Sequence, residues 1–428
     1  MMIATEFILH YIWKFKLFSF QELSTTNGEP VSVKSVGIAN PDAGPDFLNA
    51  KIEIGDTLWA GNVEIHIKSS DWLNHHHQTD KGYDNVILHV VWENDIEIHR
   101  TDGTLIPALE LKGKVDQKII TNYELLRQNN YWIPCENQFS SVPELTKQQC
   151  LDRMMLERLE KKSDLIKSQL DLSKGGWEDT FYVNLAKSFG FKVNAIPFEL
   201  LAKHLPQKIL AKHKNSIVQI EALLFGTAGL LERNFKDDYP NALKAEFQFL
   251  KQKYQLENVR PELWKFSKTR PDNFPTIRLS QFAGLVFQSQ HLFSKIIALK
   301  NYQEFYSFFK EIAINNYWKN HFQFDKAVEN RSIHIGKSSI DVIIINAIVP
   351  LLFLYGNEVG DQSLIDNALK MLEDIKPEQN KIVKGFEERG YKSKHASDSQ
   401  ALIHLKKYYC DEKKCLNCGI GLKILRSN

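Results

Sequence analysis

The sequence predicts an α/β N-terminal domain with a mixed sheet, followed by a mostly α-helical region, with the boundary near residues 138–147. Three observations carry this. Residues 47–69 hold two runs of alternating apolar and polar residues around Gly55-Asp56, the pattern of a β-hairpin. Residues 85–92 (NVILHVVW) are almost wholly apolar, as in a strand covered on both faces. After Pro143 the period lengthens, and Leu151, Met154, Met155, Leu159, Leu165, Ile166 and Leu170 recur at helical spacing.

The elements follow in order. Glu6 to Phe18 reads as an amphipathic helix, with Phe7, Tyr11, Phe15 and Phe18 on one face. Residues 25–30 (TTNGEP) and 40–45 (NPDAGP) are turn signals. Phe47–Ile54 and Leu58–Ser69 are the hairpin strands, and Ile96–Arg100 and Leu105–Leu111 read as edge strands. Further helices are expected at 178–190, 197–204, 216–231, 240–254, 277–298, 302–315, 339–355, 362–374 and 397–409. The domains are thus 1–140, α/β, and 141–428, helical and ending in a cysteine cluster.

Lys and Arg number 54 against 52 Asp and Glu, a net charge of +2. That balance gives no chain-wide electrostatic footprint for nucleic acid and leaves room only for a local basic patch. The apolar start is interrupted by Glu6, Lys14 and Lys16, so no secretory signal is expected. The longest apolar run, Val342 to Tyr355, is broken by Asn346 and Pro350 and falls short of the roughly 20 residues of a membrane span. It reads as a buried helix, and no membrane association is expected. Five unevenly placed cysteines are not a secreted disulfide framework, which points to reduced thiols and a cytoplasmic location.

The chemistry concentrates on the second hairpin strand. Alternation puts Trp59, Val63, Ile65 and Ile67 on one face and Glu64, His66 and Lys68 on the other. Asp46, at the start of the preceding strand, falls beside Glu64 across the hairpin. Two carboxylates with a backbone carbonyl make a hard oxygen site suited to Mg²⁺ or Mn²⁺, and a nearby cation can stabilise charge developing on phosphate. An ordinary half-solvated strand alternates in the same way, so the pattern also fits a polar surface. Next come His75-His76-His77 and Asp80. Three adjacent histidines cannot all reach one ion from an extended loop, but His75 and His77 can converge with Trp72 behind them.

Gly44-Pro45-Asp46 followed by Glu64-Ile65-His66-Ile67-Lys68 resembles the PD-(D/E)XK nuclease signature, in which Pro-Asp precedes acidic-x-Lys on the next strand. The resemblance covers about residues 1–110 and implies a restriction-endonuclease-like fold and a Mg²⁺-dependent hydrolase. Asp46 and Glu64 would hold the metal, and His66 would take the usual lysine position, with Lys68 sharing or replacing that role. Glu6 would be the extra helical acid of many such nucleases. The Trp72-to-His77 run and Val91-Trp92-Glu93 are similar to mismatch-repair endonucleases of that superfamily, which use a histidine near the metal. His75, His77 and Asp80 would then contact substrate. Nearly end to end, the chain also resembles a bacterial family, domain of unknown function 2851, common in Bacteroidetes. AGPDF, GNVEIHIKSSDW, YDNVILHVVW, WIPC, GFKVNA and the terminal cysteines carry that likeness.

Two further constellations stand out. Arg270 to Gln281 (RPDNFPTIRLSQ) puts Arg278 near a helix start, either as a phosphate site with Arg270 or as a structural bridge. The run from His334 to Ser339 lacks the leading glycine of a phosphate loop and is discounted. Cys410-x4-Cys415-x2-Cys418 offers three thiolates in nine residues, and Cys135 is the expected fourth, with Cys150 set aside as buried in its helix. Four thiolates suit a [4Fe–4S] cluster or Zn²⁺. The leading expectation is therefore a metal-dependent nuclease cleaving DNA or RNA, its helical region gripping nucleic acid or a protein partner. The rival is a non-catalytic scaffold, binding nucleic acid or protein through a degenerate nuclease fold.

Overall fold

A computed structural model describes residues 5–267, 269–289, 291–330 and 332–427. The chain divides into two units. Unit 1 comprises residues 1–150, 388–391 and 405–428, and unit 2 comprises residues 151–387 and 392–404. The cysteine-bearing tail therefore belongs to the α/β unit rather than to the helical region in which the sequence placed it.

Unit 1 opens with α1 (Glu6–Lys14). Its buried side chains are Ile8, Leu9, Tyr11, Ile12 and Trp13, whereas Phe7 and Phe15 are exposed. The apolar stripe is thus rotated by one residue from the phenylalanine spacing, because β-branched and leucine positions pack against the sheet. Glu6 and His10, one turn apart, are left on a shared face. Five strands, β1 (Val31–Ser35), β3 (Phe47–Ile54), β4 (Thr57–Lys68), β5 (Val86–Glu93) and β6 (Ala108–Glu110), form the sheet in that order, and β2 (Ile38–Ala39) pairs with β3. β1, β3 and β4 are antiparallel neighbours, while β5 runs parallel to β4 and β6 parallel to β5. The mixed sheet is as the sequence predicts. The pairing of β1 and β2 was not legible, and Ile96–Arg100 makes only an isolated bridge, His99 to Leu105, rather than a strand.

The parallel step from β4 to β5 requires a crossover. Residues 69–85 supply it as α2 (Asp71–Asn74) and two 3₁₀ turns, His77–Thr79 and Lys81–Tyr83. Trp72 is buried and anchors this crossover in a cluster with Tyr83, Val86, Ile98 and Ile106. β4 is enclosed in its second half, where Val63, Glu64, Ile65 and His66 are all buried, but Trp59 is 46 % exposed and belongs to a projecting end. α3 (Gln117–Gln128), α4 (Glu136–Phe139) and the start of α5 (Glu144–Leu172) complete the unit. The returning tail is tied to them: Arg426 Nε donates to Tyr11 Oη at 3.1 Å, Arg389 pairs with Glu136 at 3.0 Å, and the Arg389 and Lys406 cations lie over Trp132.

Unit 2 is helical, with helices including Trp177–Phe189, Phe191–His204, Ile217–Thr227, Asp238–Tyr254, Pro275–Gln288, Leu292–Ala298, Tyr302–Lys310 and Gln362–Asp374. The single helix expected over 277–298 is two, separated around His291, whose backbone is left-handed; Gln290 lies outside the described residues. Lys337–Val359 is one 23-residue helix, longer than the apolar run suggests, and by length and composition it could cross a membrane. Its apolar window is 72 % buried within the protein, the environment of a core helix. A π-turn at Ile344–Ile348 precedes Pro350 and absorbs the missing amide hydrogen bond.

Gly61 marks the tightest strand contact. A Cβ there would lie 2.4 Å from Ile87 Cγ2 and 2.7 Å from the Asn85 carbonyl oxygen. Gly61→Val should therefore destabilise unit 1 by about 2 kcal/mol or more, the cost of overpacking against fixed backbone. Thermal melts would check this, and an unchanged Tm would contradict the close approach of β4 to β5.

Candidate metal centre

Two carboxylates lock the β3–β4 hairpin reciprocally. The Asp46 amide donates to Glu64 Oε2 at 3.1 Å, and the Ile65 amide donates to Asp46 Oδ2 at 2.9 Å. The preceding loop positions Asp46: Asn40 Nδ2 donates to the Pro45 carbonyl, and the Asn40 amide to that of Asp46. His10, on α1, brings Nε2 within 3.2 Å of Asp46 Oδ2, an ion-pair distance poorly aligned for a hydrogen bond.

Glu64 and His66 are adjacent on the same face of β4 and are 4 % and 1 % exposed. His66 Nδ1 lies 2.9 Å from Nε2 of the fully buried His89 on β5. On its other edge, His66 Nε2 lies 3.1 Å from His75 Nδ1, 3.5 Å from Glu64 Oε1 and 4.0 Å from Glu6 Oε1. His77 Nε2 is 3.3 Å from the same Glu64 oxygen. One ring nitrogen each from His66, His75 and His77 lie within 4.8 Å of one another. The crossover achieves this because His76 takes a left-handed backbone (φ 63°), so that the chain turns between its two neighbours. Tyr83 stacks on His77 with ring centroids 3.8 Å apart, and Trp72 packs edge-on against His66 and His77.

The electrostatics follow from burial. His66 is held down at about 2, first by desolvation and then by His89, His75, His77 and His10. His89 is held at about 3, mainly by desolvation, with His77 adding to it. Both are neutral imidazoles at physiological pH. Desolvation raises the Glu64 carboxyl above its usual range against the pull of His77, with Asp46 pushing it further up. Desolvation raises Glu6 as well, opposed by His10. His10 is the exception among the imidazoles: burial works against its charge, but Asp46, Glu6 and Glu64 outweigh it and lift its pKa.

The remaining residues singled out in the sequence lie elsewhere. Lys68 is exposed at the end of β4, with its amide on Asp71 Oδ2, and its charge acts on Glu93. Asp80 is exposed and caps its own turn by accepting from the Gly82 amide. Arg270 is exposed in unit 2. Arg278 is 3 % exposed; its guanidinium donates to Gln281, Asn273 and Ser339 and covers the Phe191 ring. Its two terminal nitrogens are committed to internal partners, which is the structural-bridge arrangement, while the buried Nε has none among the described residues. Sequence reasoning missed His10 and the role of His89. The Glu6–His10 spacing of one helical turn was the available signal for the first, and the apolar setting of His89 concealed the second.

A family model described as "Protein of unknown function (DUF2851)" matches residues 6–381. No curated protein and no solved structure matches the chain.

The buried neutral imidazoles set a pH dependence. With folded values near 2 and 3 and an unfolded value of 6.5, the unfolded chain binds more protons between these limits. Stability is therefore full above about 6.5 and falls as pH drops through that window, by about 2 kcal/mol per histidine at pH 5. The raised carboxyls of Glu6 and Glu64 act in the opposite sense and are common to wild type and a His66 variant. The wild-type Tm should thus fall further between pH 7 and pH 5 than that of His66→Gln. Parallel falls would mean that His66 is not held neutral.

Proposed function

We propose that this chain, which belongs to the DUF2851 family, is a metal-dependent hydrolase of nucleic-acid phosphodiester bonds, with its centre at His66, His75, His77 and Glu64. The observation that carries the proposal is the convergence of these four donors beside the Asp46–His10 pair. Three of the six donor–donor separations are 3.1, 3.3 and 3.5 Å, and the three imidazole nitrogens lie within 4.8 Å of one another. A tetrahedron with bonds of 2.0–2.1 Å has edges of about 3.3 Å, so these three separations fit an ion that accepts imidazole. Three imidazoles and one carboxylate suit Zn²⁺, Mn²⁺ or Fe²⁺ better than Mg²⁺, which prefers an all-oxygen, water-rich shell.

A bound ion of that kind supplies a Lewis acid and a water of lowered pKa. The protein supplies the rest. His89 accepts from His66 Nδ1 in the tautomer that leaves the His66 Nε2 lone pair facing His75 and Glu64. Asp46, with Glu6 and Glu64, raises the His10 pKa and so favours its imidazolium, which can neutralise a phosphate oxygen and return a proton to the leaving oxygen. Glu6, 41 % exposed at its side chain, stands at the accessible margin of the cluster. The cationic role given to lysine in the PD-(D/E)XK signature thus falls to His10, because His66 is neutral and Lys68 is on the surface. The scaffold reading is favoured by one observation, that displacement of the lysine.

The test is cleavage of single- and double-stranded DNA, RNA and an activated phosphodiester, with Zn²⁺, Mn²⁺, Fe²⁺ or Mg²⁺ supplied in turn. Glu64→Gln should abolish metal-dependent cleavage, His10→Ala should lower it about 100-fold or more, and Lys68→Ala should leave it within about twofold, since its charge is screened at the surface. Wild-type protein that binds the ion but cleaves nothing in the panel would establish the scaffold reading.

A further inference from the structure

All five cysteines of the chain lie in unit 1, although they come from three distant segments. Cys135 precedes α4, Cys150 lies on α5, and Cys410, Cys415 and Cys418 lie in the returning tail. The Cys150 and Cys418 sulfurs are 3.9 Å apart. This is nearly twice a disulfide bond length, and it is close to the edge of about 3.8 Å in a tetrahedron with metal–sulfur bonds of about 2.3 Å. The sequence set Cys150 aside as packed within its helix; the fold instead turns it onto the tail.

The tail backbone is shaped around these sulfurs. A π-turn at Lys406–Cys410 and a 3₁₀ turn at Cys415–Asn417 fold the chain back on itself, and Lys406 pairs with Asp411 across the first turn. A Cβ at Gly421 would lie 2.4 Å from the Cys415 carbonyl oxygen, and one at Gly419 would lie 3.4 Å from Cys150 Cβ. Only glycine at 421 lets the last helix, Gly419–Leu425, begin this close to the Cys415 backbone, while Gly419 lies in van der Waals contact with Cys150.

The thiols are also one another's electrostatic neighbours. Cys135 feels Cys415 and Cys150, Cys410 feels Cys135 and Cys415, and Cys418 feels Cys150 and Cys410. A soft metal binds the thiolate form and displaces the thiol proton, so sulfurs brought this close suit such an ion. Packing alone does not require cysteines 268 residues apart to bring their sulfurs together.

We propose that these cysteines form a second metal centre in unit 1, ligated by thiolates, with Cys150 and Cys418 as a ligand pair completed from Cys135, Cys410 and Cys415. The chemistry is that of Zn²⁺ or an iron–sulfur cluster, both of which select thiolate sulfur. The centre would clamp the start of α5 and the tail together, closing a loop of 268 residues between Cys150 and Cys418. It is independent of the histidine centre, which has no cysteine among its donors.

The test uses the full chain purified anaerobically without added metal. Elemental analysis should find either zinc in proportion to protein, or iron and sulfide accompanied by broad visible absorbance; these arms distinguish the two sources. Titrating the native wild type with an organomercurial should release the metal in step with thiol modification. Cys150→Ser and Cys418→Ser should each lose it at least about tenfold more readily, while His66→Gln retains it. The organomercurial arm needs no variant, so a serine variant that fails to fold does not block the test. Protein without thiol-released metal overturns the proposal, as does metal that disappears with His66→Gln and persists in both serine variants.

Discussion

The burial of Glu64 and His66 in the middle of β4 is the constraint on which unit 1 depends. Two ionisable side chains sit next to each other on a strand enclosed on both faces, at 4 % and 1 % exposure. Such groups are costly to bury without partners. The partners come from separate parts of the chain: the Asp46 amide from the loop before β3, His89 from β5, and His75 and His77 from the crossover. Satisfying the two residues thus draws the elements of the sheet to one point, and the same demand that shapes the fold assembles the donors.

The parallel pairing of β4 with β5 turns that demand into a site. An antiparallel return would need only a short turn, whereas the parallel one needs chain that passes over the sheet. Here that chain carries the histidines, and Trp72 and Tyr83 fix it by inserting into the apolar cluster beneath. The left-handed His76 sets the spacing between His75 and His77. Hydrogen bonds from Ser69 and Ser70 to Asp95 hold the start of the crossover.

Much of this was legible in the sequence, and the failures have physical reasons. The hairpin, the apolar β5 and the neighbouring Asp46 and Glu64 follow from alternation and turn chemistry, which are local. His75 and His77 as a pair follow from side-chain divergence along the chain. His10 was hidden because helical periodicity was assigned to Phe7, Tyr11, Phe15 and Phe18, whereas tertiary packing buried Ile8, Leu9, Ile12 and Trp13 and of that set within α1 kept Tyr11 alone. Lys68 was placed with Glu64 and His66 by strict alternation, but the strand emerges into solvent there, and alternation says nothing about where a sheet ends. Cys150 is buried in its helix as expected, but nothing in the sequence signalled that the returning tail would bring the Cys418 sulfur to within 3.9 Å of it. Contacts spanning more than 250 residues leave no local signature.

The most direct measurement of the central claim is a crystal structure of the protein soaked with Mn²⁺ or Zn²⁺, with anomalous difference density recorded at the metal edge. A strong peak is expected bonded to His66 Nε2, His75 Nδ1, His77 and Glu64 Oε1, with His89 still on His66 Nδ1. An ion held by Asp46 and Glu64 oxygens away from the histidines, or a soaked crystal with no peak among the four donors, would contradict it.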